Sequence, residues 1–83
     1  MQNTGIIEID VHEMNCFQAK AMIDSRLKKA KADVYVLRVV HGYRSGTAIR
    51  DMVRREYRKH PKIKRLEISS NQGITDLVLR DLF

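Results

Sequence analysis

The chain has 83 residues, with 16 Lys and Arg against 10 Asp and Glu and a formal net charge of +6. This length supports one small domain with a single modest core, and it excludes a catalytic domain joined to a regulatory one. The excess of positive charge favours a polyanionic partner, nucleic acid before a membrane. Charge that serves only solubility is the alternative explanation.

A single cysteine, Cys16, excludes an internal disulfide and argues against a cysteine-based zinc site. The first residues lack the basic and apolar regions of a signal peptide, and no apolar run is long enough to cross a bilayer. We therefore expect a cytoplasmic, monomeric protein with no membrane partner. Residues 1–5 are expected to form a short tail and residues 6–83 a single domain, because no repeat or low-complexity segment interrupts them.

Residues 6–12 alternate apolar and polar side chains, the pattern of a strand with one buried face. The apolar side chains of that face are Ile7, Ile9 and Val11. Asn15 then suits the N-cap of a helix that continues to about residue 31. The apolar stripe of this first helix comprises Cys16, Ala19, Ile23, Leu27 and Ala30.

Residues 34–40 are rich in β-branched side chains and almost entirely apolar. This composition predicts a strand that is covered on both faces or lies at the centre of a sheet. A glycine turn leads into a second helix over about residues 47–59, which Pro61 ends. Within it, Asp51 is placed to pair with Arg55 one turn later. Its inward stripe comprises Ile49, Met52, Val53 and Tyr57.

Two further strands are predicted at residues 63–68 and 77–79, separated by a polar turn over residues 69–73. The resulting order, βαβαββ, predicts a two-layer α/β sandwich, in which a four-stranded mixed sheet carries two helices on one face. Two right-handed βαβ units would make the sheet mostly parallel, with strand four antiparallel to strand three.

Two histidines follow the first two strands of the predicted sheet. Because the carboxyl ends of parallel strands share one edge, Asp10, His12 and His41 are expected to converge there. Such a cluster suits phosphodiester cleavage, in which water or a ribose hydroxyl attacks. It would supply an imidazole, a carboxylate that orients the imidazole, and backbone donors for a phosphate oxygen. A purely structural Asp-x-His hydrogen bond and a plain turn at His41 are the alternatives.

The same side chains raise the question of a metal ion. Two histidines and a carboxylate can bind zinc or manganese, but the sequence offers no further recognisable ligand set. A divalent cation, magnesium or manganese, is therefore an open alternative and not a predicted cofactor.

The turn after the second strand passes through Gly42 and Gly46 and opens the second helix, whose first N–H groups attract anions. Arginines recur along the side of this helix opposite its apolar stripe, which predicts a track for phosphates, with a solvated helix face as the alternative. The arginines of this track are Arg50, Arg54 and Arg58. Tyr43 is the aromatic residue placed for a base to stack on it.

These segments resemble a known family. Asp10-Val11-His12 and the later run His41-Gly42-Tyr43-Arg44-Ser45-Gly46 are similar to the Asp-Leu-His-Gly and His-Gly-x-Gly-x-Gly signatures of the Smr (small MutS-related) domain. The resemblance covers about residues 6–80. It implies a fold similar to the C-terminal domain of bacterial translation initiation factor three, and nicking or cleavage of DNA or RNA.

By this resemblance, Asp10 and His12 map onto the first signature, and His41, Gly42 and Gly46 map onto the second. We therefore expect Asp10, His12 and His41 to be catalytic, with Gly42, Gly46 and Arg44 holding phosphate. Glu13 and Arg44 stand where the family has glycine, so a carboxylate that opposes phosphate and a guanidinium that attracts it are added. We therefore predict a nucleic-acid-binding endonuclease. The alternatives are a non-catalytic module that binds nucleic acid or the ribosome, and a protein-interaction domain with an acidic partner.

Overall fold

The structure is a computed structural model that describes residues 5–43, 47–68 and 70–81. Most of the predicted tail, residues 1–4, lies outside the described residues. The predicted order βαβαββ is confirmed. Its elements are β1 (Ile6–Asp10), α1 (Cys16–Lys29), β2 (Val36–Val40), α2 (Ala48–Glu56), β3 (Arg65–Ile68) and β4 (Ile74–Val78). Neither α1 nor α2 is long and apolar enough to cross a membrane, among the residues described.

The four strands form one mixed sheet in the order β1-β2-β4-β3. Only β1 and β2 pair in parallel, because β4 lies antiparallel between β2 and β3. Since β1, β2 and β3 all run in the same direction, the predicted mostly parallel sheet is confirmed in strand direction, as is the antiparallel pairing of β3 with β4. The hydrogen-bonded pairs are nonetheless mostly antiparallel, because β4 lies between β2 and β3. Burial explains the order, since Leu77 and Val78 make β4 a buried central strand and the exposed β3 takes the edge.

The period-two pattern of the first strand is confirmed, with Ile9 and Val11 buried against the helices. β2 lies at the centre of the sheet, one of the two arrangements that its apolar composition predicts. Its partners bring Val39 opposite Ile9 on one side and opposite Thr75 on the other. One row of inward-facing side chains therefore crosses three strands at the end of the sheet where β1 and β2 finish.

Helix α1 begins at the predicted cap. The Asn15 side chain accepts from the backbone N–H of Gln18 at 2.8 Å, and the Gln18 side chain accepts from the N–H of Asn15 at 3.1 Å. This reciprocal capping box satisfies two of the N–H groups at the helix start. The helix ends at Lys29, two residues before the predicted end, because Ala30 is already extended.

Helix α2 is shorter than predicted, since it ends at Glu56 and Tyr57 forms its C-cap. Its apolar stripe is confirmed, with Met52, Val53 and Tyr57 buried. The predicted pair of Asp51 with Arg55 is wrong. The Asp51 carboxylate instead accepts from the Thr47 hydroxyl at 3.0 Å and from Arg50 Nε at 3.2 Å.

The two helices are joined by a polar contact at the rim of the core. The Tyr57 hydroxyl donates to the Asp24 carboxylate at 2.5 Å, and Lys20 Nζ donates to the other oxygen of that carboxylate at 2.9 Å. Burial, together with this hydrogen bond, raises the pKa of Tyr57. The contact fixes α2 against α1 and so fixes the position of the α2 N-terminus at the opposite end.

Candidate active site

The parallel strands β1 and β2 end side by side, with Asp10 paired to Val40. A further hydrogen bond, from Val11 N–H to the Val40 carbonyl at 2.9 Å, continues the pairing beyond β1. The two histidines follow at once, and both line one cavity of about 580 Å³ at this edge. The convergence that the strand pattern predicts is present in the structure.

His12, which lines this cavity, forms an exposed pair with Asp10. His12 Nδ1 lies 2.5 Å from Asp10 Oδ1, and the same oxygen accepts from the His12 backbone N–H at 3.1 Å. This hydrogen bond raises the pKa of His12 above its ordinary value of 6.5. It likewise lowers the pKa of Asp10. Half of the His12 side chain is exposed, so its ring is oriented by the protein and still reachable from solvent.

Glu13 lies on the other side of the same imidazole. Its carboxylate oxygen is 3.4 Å from His12 Nε2, and its side chain is 86% exposed. The carboxylate therefore occupies the space next to the nitrogen that Asp10 leaves available. An exposed side chain can rotate away, but while it stays there it opposes the approach of a phosphate.

His41 is placed quite differently, with only 4% of the residue exposed. Nδ1 lies 2.8 Å from the Gly42 carbonyl and Nε2 lies 2.8 Å from the Thr75 hydroxyl. Because a carbonyl only accepts, Nδ1 carries the proton, and in the neutral ring Nε2 accepts from the hydroxyl. Burial lowers the pKa of His41, and the cations of Arg54 and Arg50 lower it further. Both ring nitrogens are engaged within the protein.

Thr75 is the site residue that sequence reasoning missed. It is fully buried in β4, its hydroxyl contacts His41, and Arg54 Nε lies 3.4 Å from the same oxygen. The predicted fourth strand covers residues 77–79, which leaves Thr75 in the segment before it, whereas β4 begins at Ile74. The available signal was spacing: Thr75 comes two residues before Leu77, so a strand that contains both places them on the same face.

Two glycines bring the turn after β2 against the start of β4. Gly42 has a φ of +72°, and a Cβ added there would lie 3.2 Å from His12 Cβ. The Gly73 carbonyl accepts from the N–H groups of His41 at 2.9 Å and Gly42 at 3.0 Å. The N–H of Gly42 therefore donates within the protein. A Cβ added at Gly73 would lie 3.2 Å from Gly42 Cα, so a side chain at Gly73 would crowd this turn.

The cavity itself is lined by the starts of both helices and by the ends of the central strands. Its residues are His12, Met14, Asn15, Cys16, Val40, His41, Gly42, Tyr43, Ala48, Ile49, Asn71, Gly73 and Ile74. Tyr43 is 49% exposed, so part of its ring is open to solvent beside this space. Among the predicted site residues, Arg44 and Gly46 lie outside the described residues.

A model of the Smr domain family matches residues 9–75, which include the Asp10 and His12 pair, His41 and Thr75. The chain belongs to the Smr domain family. Among solved structures it is similar to the crystal structure of the Smr domain of MutS2 from Thermus thermophilus. The identity is 24% and the TM-score 0.80, over 90% of this chain and 99% of that chain. A search of curated proteins gives no match.

The two halves of the Smr signature have different environments in this chain. Asp10 and His12 are exposed, whereas His41 is buried and hydrogen-bonded on both sides. The first half is therefore the one that an external molecule can touch. The second half builds the turn against which the first half rests.

The predicted arginine track of this Smr domain lies along α2. Arg54 is partly buried against Thr75, whereas Arg50 Nη2 lies 3.2 Å from the Asp51 carboxylate with 28% of its side chain exposed. Arg58 follows the helix and is exposed. Arg50 and Arg54 are close enough to His41 to lower the pKa of its ring, so the start of the track adjoins the site.

No group of three or more His, Cys, Asp or Glu side chains is arranged to hold a metal ion, within the part of the chain that the structure describes. The nitrogens of His12 face Asp10 and Glu13, and those of His41 face Gly42 and Thr75. These residues make hydrogen-bonded pairs and not a convergent ligand set.

Proposed function

We propose that this Smr domain binds nucleic acid and cleaves its phosphodiester backbone at the exposed pair of Asp10 and His12. The observation that carries the proposal is the geometry of this pair, in which the carboxylate holds Nδ1 at 2.5 Å while the ring stays half exposed. A carboxylate that fixes one nitrogen leaves the other available for proton transfer. The net charge of +6 and the arginines of α2 supply attraction for the backbone.

The raised pKa of His12, which the hydrogen bond to Asp10 causes, favours a role as general acid. In the proposed step, the oxygen of water or of a ribose hydroxyl forms the new bond to phosphorus. The bond from phosphorus to the leaving oxygen breaks, and protonated His12 donates its Nε2 proton to that oxygen. The proton of the attacking hydroxyl passes to solvent. Glu13 has to rotate away from Nε2 for this transfer to occur.

Phosphate is proposed to bind at the start of α2 and not through the N–H of Gly42, which already donates to Gly73. The Thr47 side chain makes no capping hydrogen bond to the α2 backbone, because its hydroxyl donates to Asp51. The first N–H groups of α2 thus receive no hydrogen bond from the Thr47 side chain, and this helix end carries a partial positive charge. Arg50 in the first turn adds a guanidinium, which lies 3.2 Å from the Asp51 carboxylate.

His41 is proposed to position the site and not to transfer a proton itself. Its Nδ1 and Nε2 hold the Gly42 carbonyl and Thr75, and Gly42 in turn packs against His12. Loss of the His41 ring is therefore expected to displace the surface that supports His12. In this role the ring acts through the hydrogen bonds of both its nitrogens within the protein and not through proton transfer to a substrate.

The test compares the wild type with His12→Ala on supercoiled plasmid and on structured RNA, each with and without magnesium or manganese. His60→Ala is the matched control, because His60 lies beyond α2 and its ring contacts Tyr57. We expect cleavage by the wild type and by the control, and none by His12→Ala. Equal cleavage by all three proteins would point to a contaminating nuclease and overturn the proposal.

The second candidate is a module that binds nucleic acid, including ribosomal RNA, without cleaving it. The observation that favours it is the Glu13 carboxylate 3.4 Å from His12 Nε2, which opposes a phosphate at the reacting position. Salt-sensitive binding by the wild type together with no His12-dependent cleavage of either substrate would select this candidate.

A further inference from the structure

The cavity beside the candidate active site is larger and less polar than a phosphate requires. Its volume of about 580 Å³ falls within the range of about 300–1,000 Å³ that small-molecule sites occupy. Of the Asp10 and His12 pair, His12 is the residue that lines it. The remaining volume of the cavity is therefore large enough to hold a second part of the ligand.

The walls of the cavity indicate the chemistry of that part. Most lining side chains are apolar. They come from the end of β2, the start of β4, the starts of both helices and the turn before α1: Met14, Cys16, Val40, Ala48, Ile49 and Ile74. The polar side chains of the lining are those of His12, His41, Asn15 and Asn71. Asn15 uses its oxygen to cap α1, which leaves its NH2 group to donate. Apolar faces with a few polar groups suit a flat heteroaromatic ring, whereas they do not suit an anion.

Tyr43 adds an aromatic surface at the entrance. It lines the cavity and is 49% exposed, although it follows directly after a buried turn. Aromatic side chains in such positions stack on bases whatever their sequence. The arginines of α2 begin on the same side, so a strand whose phosphates follow them would bring its bases to this entrance.

We propose that the cavity receives one unpaired nucleobase of the strand whose phosphodiester lies at His12. This inference rests on the proposed binding of nucleic acid and adds the substrate class. A base in a duplex cannot leave its stack without an energetic cost, so the site selects single strands, loops or locally opened duplexes. The base anchors the strand, and the adjacent phosphate then lies beside the exposed imidazole.

Cys16 provides a direct probe, because it is the one cysteine of the chain and lines the cavity while half-buried. The rate at which N-ethylmaleimide alkylates Cys16 is followed by the mass of the intact protein. It is measured for the free protein and for the protein with a saturating concentration of a ten-nucleotide RNA. The comparison ligand is a strand of equal length and charge in which every base is removed. We expect the intact strand to slow alkylation by about 10-fold, in line with stacking of one base, and the abasic strand to leave it nearly unchanged.

The matched control moves the thiol out of the cavity by one residue. In the double variant Cys16→Ser with Phe17→Cys, the new thiol stands at a position that is 83% exposed and does not line the cavity. Its alkylation should not depend on the bases of the strand. A nucleoside monophosphate in place of the strand should protect Cys16 only at much higher concentration, because it lacks the neighbouring phosphates.

Substitution at the entrance gives an independent measurement. Tyr43→Ala is expected to weaken binding of the intact strand by about 10-fold and to leave binding of the abasic strand unchanged. Phe17→Ala removes a similar ring from an exposed position outside the cavity and should change neither.

The inference would be overturned if the intact and abasic strands protected Cys16 equally, or if neither strand protected it. It would also be overturned if a nucleoside monophosphate protected Cys16 better than the intact strand does. The proposed cleavage fails separately. His12-dependent cleavage without base-dependent protection refutes the base site alone. Base-dependent protection without cleavage refutes the catalytic function and retains the base site.

Discussion

The hydroxyl of Thr75 lies 2.8 Å from Nε2 of His41, so the end of β2 is tied to the start of β4 inside the core. Arg54 approaches the same hydroxyl from α2 at 3.4 Å. Three elements thus meet at one oxygen, which donates to the ring and accepts from the guanidinium. This contact holds the His41 ring in place and fixes the turn that packs against His12, while burial and the cations of Arg54 and Arg50 lower the pKa of the ring.

Thr75→Val tests this contact with little change of volume. The variant leaves His41 Nε2 buried without its donor, and we expect the free energy of unfolding to fall by about 1–3 kcal/mol in urea titrations. Thr47→Val is the matched control, since its hydroxyl donates to the exposed carboxylate of Asp51. The control should change stability by less than about 0.5 kcal/mol. Equal effects of the two substitutions would show that the buried contact contributes nothing special.

The contrast between Thr75 and Asn15 shows what the sequence could predict. The cap of α1 depends on residues three positions apart, so Asn15 and the start of the helix were predictable. The alternation of residues 6–12 likewise fixed which face of β1 is buried. Both signals are local, because their partners lie within one turn or one strand.

The order of the strands and the role of Thr75 depend on distant partners. The insertion of β4 between β2 and β3 follows from which strand buries more apolar surface against both helices, and no short motif reports that comparison. The same holds for His41, whose two hydrogen-bond partners are one residue and 34 residues away. Its position at the end of a strand was predictable, whereas its burial was not.

The two site histidines should impose opposite pH dependences on stability. His41 has a pKa lowered by burial, so its contribution is fully present above its ordinary value of 6.5 and is lost as the pH falls towards its folded pKa. His12 has a pKa raised by Asp10, so its contribution is fully present below 6.5 and is lost as the pH rises through its folded pKa. As far as these two groups decide it, stability is highest near pH 6.5.

NMR titration of the imidazole resonances measures both shifts directly. We expect one ring to titrate above 6.5 and to lose that shift in Asp10→Asn, and another to titrate below 6.5 and to be unaffected by that substitution. Urea midpoints between pH 6.5 and pH 9 should decline less steeply in His12→Gln than in the wild type. A His41 resonance that titrates above 6.5 would contradict a buried neutral ring.

The pH profile of cleavage tests the proposed role of His12 as general acid. The rate should decline as the pH rises through the pKa of His12, because the donated proton is lost. Asp10→Asn removes the charge that raises this pKa, so the decline should move to lower pH. Glu8→Gln neutralises an exposed carboxylate of the same strand and should leave the profile in place. An unchanged decline in Asp10→Asn would separate the imidazole from the rate-limiting proton transfer.

The arginine track predicts which face contacts phosphates. Replacing Arg50 and Arg58 with Ala should weaken binding and flatten the dependence of log affinity on log salt by about 1.4 for a single strand, since each phosphate contact contributes about 0.7. Arg54 is left in place because it contacts Thr75. The matched control replaces Lys28 and Lys29 at the end of α1, which removes equal charge from another face. Equal effects of the two pairs would reveal a diffuse attraction without a defined track.

Glu13 is the residue whose removal should improve this site. Its carboxylate stands 3.4 Å from His12 Nε2 with 86% of its side chain exposed, so it repels phosphate while contributing no packing. Glu13→Gln should therefore increase affinity for single strands and raise the rate of cleavage, and it should leave the urea midpoint within the range of an ordinary surface substitution. Glu67→Gln on the edge strand β3 removes the same charge away from the cavity and controls for net charge. If Glu13→Gln lowers the rate while affinity rises, the carboxylate itself takes part in proton transfer, and His12 is not the only acid or base of the site.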